Sequence, residues 1–291
     1  MKWEDLRRSG NVEDFRGRSP LRGVGGRGDM RMLVPMVRFL LSTKIGRIVL
    51  LVGVVAYFFG FNPLSLLDNT PSQRSASQKI SANENKTAEF VSVVLGQTED
   101  VWRKLFKERA ARYQEPKLVL FRHGVQSGCG YAQTQTGPFY CPNDKKVYLD
   151  LSFFDELRSR HGSPGDFAQA YVIAHEVGHH VQNLLGALNK SHAEKQAATS
   201  KKKANAEQVK VELQADCYAG VWAHYLNGVL EDGDIEEALN AASAIGDDTL
   251  QKKAQGYVTP DAFTHGSSHD RVKWFKIGYE GGEIGSCETG I

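Results

Sequence analysis

Two histidines one helical turn apart, with a glutamate next to the first, are the residues of this sequence best suited to chemistry. The segment from His175 to His179 reads His-Glu-Val-Gly-His. On a helix both imidazoles would lie on one face, where their nitrogens can bind a single Zn²⁺ ion. Glu176 would lie beside the metal, where it can take a proton from a water on the metal and return it to a leaving amine.

A third ligand for the same ion is offered further along the chain. Glu212 and Asp216 are four residues apart in a segment with the pattern of a long helix, so they share one helix face. We expect Glu212 to complete a set of two histidines and one glutamate, which leaves a fourth position for water as catalytic zinc requires. Asp216 is expected to accept the free N–H of a ligand histidine. Taken singly, Glu212 reads as a solvated acid and Asp216 as a salt-bridge partner.

The histidines need a helix to present them, and the sequence predicts one from Ser163 to Leu185. Ser163 is suited to the N-cap, Pro164 to the first helical position and Asp166 to the place of a capping partner. Gly178 lacks a Cβ and would let another backbone or a substrate come close. At about 100° per residue the apolar residues form one broad arc with both histidines opposite it. That arc consists of Phe167, Ala170, Ile173, Ala174, Val177, Val181, Leu184 and Leu185.

Further elements follow from periodicity. A helix is predicted over 98–113 with Thr98 as its N-cap, and strands are predicted over 117–121 and 146–151. A last helix is predicted to contain Arg271, Val272, Trp274 and Phe275. The lysine-rich segment 189–210 reads as a solvated helix or a mobile flap over the cleft. A nucleic-acid patch is the alternative, but the formal net charge of the chain is only +2, which does not favour a nucleic-acid partner.

The beginning of the chain has the composition of a membrane anchor. Residues 1–47 carry eleven Lys or Arg against five Asp or Glu, and residues 48–67 carry no charge and are mostly apolar. About 20 apolar residues span a bilayer as a helix, so we expect a transmembrane signal anchor over 48–67. A cleaved signal peptide is disfavoured because no Ala-x-Ala site follows, and a buried core helix is the other alternative.

The excess of basic residues then orients the chain. It places a disordered basic arm, residues 1–47, in the cytoplasm and the remainder on the periplasmic or extracytoplasmic side. Residues 68–88 are expected to be a flexible linker, and residues 89–291 a folded domain. An oxidising compartment favours two disulfides from the four cysteines. Cys129 with Cys141 would clip one local loop, which leaves Cys217 with Cys287.

Several stretches resemble a known family. The ligand set of His175, His179 and Glu212 followed by Asp216 is similar to that of the thermolysin-type zincins. The wider sequence resembles the bacterial family of neutral zinc metallopeptidases over nearly the whole chain. The resemblance implies a zincin-like α+β domain, mainly helical, in which two helices hold the metal beside a small sheet, here preceded by one transmembrane helix. The stretches that carry this resemblance are 2–5, 128–130, 147–151 and 212–220.

Enzymes of the thermolysin kind also use a His or Tyr donor to stabilise the oxyanion of the tetrahedral intermediate. His265, next to a glycine at a helix entry, is the first candidate for this donor, and Tyr257 is the second. The alternative is that His265 only caps or packs at that turn. His180 is expected to point away from the pair of ligand histidines.

Together these features predict a membrane-anchored, zinc-dependent endopeptidase that acts on peptides or proteins. One Zn²⁺ per chain would be held by His175, His179 and Glu212, with Glu176 as the general base. The competing hypothesis is a non-enzymatic envelope binding or adaptor protein in which the same zinc site only stabilises the fold. The presence of Glu176 favours the enzyme, because a structural zinc site needs no base and is closed by a fourth ligand.

Overall fold

The structure is a computed structural model, and it describes Ser42 and residues 1–17, 80–133, 136–160 and 162–291. It is mostly helical with a small sheet, which confirms the predicted α+β class. Within the described residues the helices are α1 (Ala82–Glu108), α2 (Ser152–Ser159), α3 (Asp166–Leu185), α4 (Ala187–Ala197), α5 (Lys201–His224), α6 (Asp234–Ala244), α7 (Asp247–Gln255) and α8 (Ser268–Gly281), with 3₁₀ helices at Pro260–Ala262 and Ile284–Ser286. The strands there are β1 (Val12–Asp14), β2 (Lys117–Phe121), β3 (Gly124–Ser127), β4 (Gly130–Gln133), β5 (Phe139–Cys141) and β6 (Lys146–Asp150).

The main sheet has four strands in the order β1-β2-β6-β5, and β3 pairs with β4 as a separate hairpin. Both predicted strands are confirmed, although β6 ends one residue earlier than expected. Strand β2 lies parallel to β1 and β6, whereas β5 is antiparallel to β6. Alternate residues of β2 face opposite sides, so Leu118 and Leu120 join the helical core while Val119 and Phe121 pack in a smaller cluster with the hairpin.

Residues 1–17 are part of the folded domain, so the prediction that they belong to a disordered arm is wrong. Strand β1 pairs with β2, and the side chain of Trp3 is buried against Phe90 at 5.4 Å between ring centroids. The amino group of Met1 lies 2.9 Å from a carboxylate oxygen of Asp166 and 3.2 Å from one of Asp234. A strand ladder cannot be shared across a bilayer, so residues 1–17 and 80–291 lie on the same side of any membrane.

The predicted membrane anchor, residues 48–67, lies outside the described residues. So do 18–47 apart from Ser42, and most of the predicted linker. Among the residues that are described, no helix has both the length and the apolar composition needed to cross a bilayer. That residues 48–67 enter a membrane therefore stays a prediction. The predicted orientation does not fit the fold, because a single span over 48–67 would place the paired strands β1 and β2 on opposite sides of the membrane.

Helix α1 begins sixteen residues earlier than predicted, so the linker ends before 82 and the domain starts before 89. Ser81 is the N-cap, and it forms a capping box with Glu84, which satisfies two backbone N–H groups that the helix leaves free. Thr98, predicted as the cap, is instead fully buried inside the helix and donates its hydroxyl to the carbonyl of Leu95. The helix ends at Glu108, five residues earlier than predicted, and two residues later Ala110 has a φ of 53°, which does not continue a right-handed helix.

Helix α3 ends at Leu185 as predicted, but it begins at Asp166 with Gly165 as the N-cap. The predicted cap, Ser163, makes no cap hydrogen bond, because the chain enters the helix two residues later. Asp166, predicted as a capping partner, binds the Met1 amino group instead. Leu185 is also exposed, which corrects its place in the predicted apolar arc.

Close backbone contacts fix α5 against its two neighbouring helices. A Cβ on Gly178 of α3 would lie 3.0 Å from the carbonyl oxygen of Ala215, which confirms the predicted close approach at this glycine. On the other side of α5, a Cβ on Gly278 of α8 would lie 1.9 Å from the carbonyl oxygen of Cys217. Helix α8 therefore packs on α5 at a distance that only glycine permits, and α3 packs on α5 so closely that a Cβ at Gly178 would need a shift of the neighbouring backbone. The predicted ligands lie on α3 and α5.

Both predicted disulfides are present, Cys129 with Cys141 and Cys217 with Cys287. The first joins the β3–β4 turn to strand β5. The second joins the middle of α5 to the C-terminal segment after the last 3₁₀ helix, and both of its cysteines are fully buried. The long second bridge therefore holds the end of the chain against the helix that carries Glu212.

Candidate metal centre

Helices α3 and α5 bring the three predicted ligands together. His175 and His179 lie one turn apart on α3, and Glu212 faces them from α5. The Oε2 atom of Glu212 is 3.3 Å from Nε2 of His175 and 3.5 Å from Nε2 of His179. All three ligand atoms lie within 4.8 Å of one another. The sequence prediction of this set is therefore matched by the geometry.

The spacing of these atoms fits a single tetrahedral zinc ion. Bonds of about 2.0–2.1 Å to a tetrahedral centre place two ligand atoms about 3.3–3.4 Å apart. Two of the three observed separations, 3.3 and 3.5 Å, are close to that value. Two imidazoles and one carboxylate are also the donor types that zinc takes in catalytic sites.

Asp216 holds the first histidine, as predicted. Its Oδ1 atom accepts a hydrogen bond from Nδ1 of His175 at 2.8 Å and another from the Tyr171 hydroxyl at 2.5 Å. Arg271, which the sequence analysis gave no role, donates to both carboxylate oxygens at 2.9 and 3.0 Å. Burial alone would raise the pKa of Asp216, but the charges of Arg271 and His175 outweigh it and lower the pKa to about 2. A fixed buried anion therefore orients His175 with Nε2 toward the metal position.

The other two ligands have partners that were not predicted. Gln182 accepts from Nδ1 of His179 at 2.8 Å. Gln208 donates to Oε1 of Glu212 at 2.6 Å, which leaves Oε2 facing the two histidines. The Gln208 amide is itself held by Lys195, whose ammonium group donates to its oxygen at 2.5 Å. Each ligand thus keeps one atom toward the metal position because its other polar atom is bonded elsewhere.

The centre opens on one side into a cleft of about 950 Å³. Glu176 lies in the cleft wall and is 8% exposed, and no hydrogen bond from the part of the chain that is described reaches its carboxylate. Helix α4, in the segment predicted as a solvated helix or a flap, contributes a wall of this cleft through Leu188 and His192. His192 is therefore a cleft residue.

His265 lies in the same cleft, whereas Tyr257 is not among the cleft residues and is 64% exposed. Asp247, the first residue of α7, accepts from the backbone N–H of His265 at 2.6 Å and contacts its Nδ1 at 3.3 Å. The contact between the Asp247 carboxylate and the His265 ring raises the pKa of His265, although burial acts to lower it. Of the two predicted candidates for the oxyanion donor, only His265 is thus a cleft residue.

His180 points away from the ligand pair, as predicted. Its Nε2 donates to the backbone carbonyl of Gln114 at 2.6 Å, and its Nδ1 accepts from the Tyr140 hydroxyl at 3.0 Å. Burial lowers the pKa of His180 to about 4, so the ring is neutral at physiological pH. It ties α3 to the sheet and takes no part in metal binding.

Zinc uptake should release protons from the ligand histidines. Burial lowers the pKa of His175, but the charge and hydrogen bond of Asp216, with the hydrogen bond of Glu212, raise it to about 10. His175 is therefore protonated at neutral pH without metal, and zinc needs the neutral ring. We expect release of about one proton or more per zinc at pH 7, and affinity that rises with pH up to about 10.

Calorimetric titration of the metal-free protein with zinc, in buffers of different ionisation enthalpy, measures this proton count. Zinc uptake whose heat is independent of the buffer would contradict the expectation. A variant with Asn at position 216 should release fewer protons, because the group that raises the pKa of His175 is gone.

Comparisons with known proteins agree with this site. Residues 1–290 match the family described as Putative neutral zinc metallopeptidase. The chain is 49% identical over 292 residues to Uncharacterized protein YpfJ of Escherichia coli, an alignment that covers 99% of this chain and 98% of that protein. It is 41% identical over 242 residues to Uncharacterized protein Rv2575 of Mycobacterium tuberculosis, which covers 78% and 79% of the two chains. No solved structure matches the chain.

The family match extends over almost the whole sequence, including the segment before the predicted anchor. It contains all three residues whose ligand atoms meet between α3 and α5. This chain belongs to the putative neutral zinc metallopeptidase family.

Proposed function

We propose that this protein is a zinc-dependent endopeptidase that hydrolyses peptide bonds in peptide or protein substrates. The observation that carries the proposal is the position of Glu176, in a cleft wall one residue from the ligand His175 and without a hydrogen bond from any described residue. A zinc site that only stabilised a fold would be closed by a fourth ligand and would need no such carboxylate. Here three ligands face a cleft large enough for a substrate.

In the proposed reaction, zinc held by His175, His179 and Glu212 would supply a Lewis acid that polarises the scissile carbonyl and activates water. Glu176 takes the proton of the attacking water and delivers it to the leaving nitrogen. His265 donates a hydrogen bond to the oxygen that becomes negative as water adds to the carbonyl. Each role belongs to a residue of the same cleft.

The cleft also supports a peptide as the substrate. Strand β5 is the last strand of the four-stranded sheet within the described residues, and Phe139 and Tyr140 of this strand line the cleft. An extended peptide can add to such a free strand edge through main-chain hydrogen bonds. Two apolar residues of the same cleft, Val172 and Ile245, would accept substrate side chains.

We further propose that the domain works in an oxidising compartment, attached to a membrane through residues 48–67 with residues 1–17 and 80–291 on the same side of it. Two disulfides support this, since such bridges are rare in the cytoplasm. Non-reducing electrophoresis of protein trapped with a thiol reagent in cells tests the compartment. Free thiols at Cys217 and Cys287 would argue against it.

The function is tested with the purified full chain and a peptide library. We expect cleavage that stops when zinc is removed with a chelator and returns when one zinc per chain is restored. Replacement of His179 by Ala should abolish both zinc binding and cleavage. A wild-type protein that binds zinc tightly, is folded and cleaves nothing would instead support the non-enzymatic adaptor.

The pH dependence of kcat for peptide cleavage should show the protonation of His265. Its Nδ1 lies 3.1 Å from the Thr264 hydroxyl and 3.3 Å from a carboxylate oxygen of Asp247. The hydroxyl can donate or accept but the carboxylate can only accept, so the neutral ring that serves both keeps its hydrogen on Nδ1 and leaves Nε2 without one. Only the protonated ring can donate from Nε2 to the oxyanion, and the pKa of His265 is raised above 6.5. We therefore expect kcat to be full below this pKa and to fall as the pH rises through it.

The variant His265→Ala should lower kcat by about 10²–10³, the usual effect of losing one oxyanion donor. His265→Gln should keep part of the activity and lose the alkaline fall, because an amide does not titrate. His192→Ala, in the same cleft, is the control and should keep both the rate and the pH profile. An unchanged alkaline fall in His265→Gln would assign it to another group.

A further inference from the structure

A row of buried hydrogen bonds leads away from the ligand His179 and ends on two backbone carbonyls. Nδ1 of His179 lies 2.8 Å from Oε1 of Gln182. Nε2 of Gln182 lies 2.7 Å from the carbonyl oxygen of Val211 and 3.1 Å from Oε1 of Gln214. Nε2 of Gln214 lies 3.0 Å from the carbonyl oxygen of Cys287. Both glutamine side chains are buried, so water does not compete for these groups.

The two carbonyls determine the direction of every bond in this row. A backbone carbonyl can only accept, so Gln214 must turn its NH₂ group toward Cys287 and its oxygen toward Gln182. Gln182 must likewise turn its NH₂ group toward Val211. Its oxygen then faces His179, and an amide oxygen only accepts. Nδ1 of His179 therefore carries a hydrogen.

A flipped amide at either position would be unfavourable. If Gln182 were turned over, its oxygen would face the Val211 carbonyl, and two buried acceptors would lie 2.7 Å apart. The hydrogen bonds from Gln182 to Val211 and to Gln214 would then be lost together, and buried groups find no water to replace them. The Cys217–Cys287 disulfide and the hydrogen bond from Thr289 to the Lys210 carbonyl hold the C-terminal segment in place at the far end.

We propose that Gln182 is a positioning residue that fixes the tautomer of His179, and that the carbonyl of Val211 fixes the direction of Gln182. With the hydrogen on Nδ1, the lone pair of Nε2 points to the position that Glu212 Oε2 also faces, 3.5 Å away. The amide oxygen of Gln182 thus accepts the Nδ1–H of His179, as the carboxylate of Asp216 accepts the Nδ1–H of His175. The inference rests on the proposed zinc site, but not on the proposed peptidase activity.

Two substitutions at one position separate this role from a purely structural one. Gln182→Met removes the acceptor, so we expect zinc affinity to fall by about 10–100-fold. Gln182→Glu keeps an acceptor for Nδ1–H, so zinc affinity should stay within about threefold of wild type. Both variants leave the carbonyl of Val211 without its donor, so both should unfold at lower denaturant concentration than wild type.

Zinc dissociation constants are measured by competition with a chromophoric chelator, and the tautomer by ¹⁵N spectra of the histidine rings in zinc-loaded protein. Wild type and Gln182→Glu should show hydrogen on Nδ1 of His179. Gln214→Met is the matched control, since Val211 still directs Gln182, and it should change zinc affinity by less than about threefold. Equal loss of zinc affinity in the Met and Glu variants, or none in the Met variant, would overturn the proposal.

Zinc binding is measured here without substrate, which keeps this test independent of catalysis. A protein that binds zinc and shows the expected difference between the two variants, yet cleaves no peptide, would contradict the proposed function alone. A protein that cleaves peptides but shows no such difference would contradict only the role of Gln182.

Discussion

Replacing Glu176 by Gln should lower kcat/KM for peptide cleavage by about 10²–10⁴ and leave the bound zinc in place. The amide has the shape of the carboxylate but cannot take a proton from water at neutral pH. Glu176 is not among the three residues whose ligand atoms meet, so its loss should not release the metal. A lower rate with the zinc still bound is expected when a general base is replaced. Replacing a metal ligand would release the zinc as well.

Steady-state cleavage of a fluorogenic peptide, with zinc content measured on the same sample, tests this expectation. Glu156→Gln is the matched control, because Glu156 also lies in the cleft wall but is half exposed and is not next to a ligand. We expect the control to change kcat/KM by less than about threefold. Cleavage by the Glu176 variant at the wild-type rate would contradict the proposed role of Glu176 as the general base.

The ligands could be predicted because their signal is local. His175, Glu176 and His179 lie within one helical turn, and the spacing of Glu212 and Asp216 is the same turn repeated on a second helix. Nothing in such spacing says that the two helices meet. That contact depends on Gly178 and Gly278, which let the backbones approach α5 from both sides.

Gln182 and Gln208 lie only three and four residues from His179 and Glu212, so helical spacing could have indicated these partners. The residues further from the metal could not be predicted, because their contacts join distant parts of the sequence. Arg271 reaches Asp216 across 55 positions and Gln214 reaches Cys287 across 73. In the sequence, neither the residue type of Arg271 nor its adjacent residues distinguish it from a solvated arginine on a helix. Its role depends on its burial beside the Asp216 carboxylate, and burial is a property of the assembled core.

The errors at the N-terminal side have two different causes. The start of α1 was predictable, since Ser81 and Glu84 have the spacing of a capping box. Strand β1 was not, because Val12–Asp14 is three residues long and finds its partner in β2 more than 100 residues later. The charge of residues 1–47 as a whole does not show that the first part folds into the domain. It does so through the apolar contact of Trp3 with Phe90 and the ion pair of the Met1 amino group with Asp166.

Replacing Asp216 by Asn should give the largest loss of stability among single changes near the metal. Arg271 is 3% exposed, and Asp216 is fully buried and accepts from it through both carboxylate oxygens. Breaking a buried ion pair from one side leaves the other charge without compensation, which costs about 3–5 kcal/mol. Asp155→Asn, in the exposed pair with Arg158, is the control and should cost about 0–1 kcal/mol.

A double variant separates the two roles of Asp216. Asp216→Leu together with Arg271→Met removes both charges, and an apolar replacement of a buried pair is often neutral. We expect the free energy of unfolding to recover most of the single-variant loss. Zinc affinity should stay about 10–100-fold below wild type, because His175 still lacks the acceptor for its Nδ1–H. Denaturant unfolding and chelator competition on the same proteins measure the two effects. If zinc affinity recovered along with stability, Asp216 would serve the core alone, and some other group would have to hold His175 toward the metal.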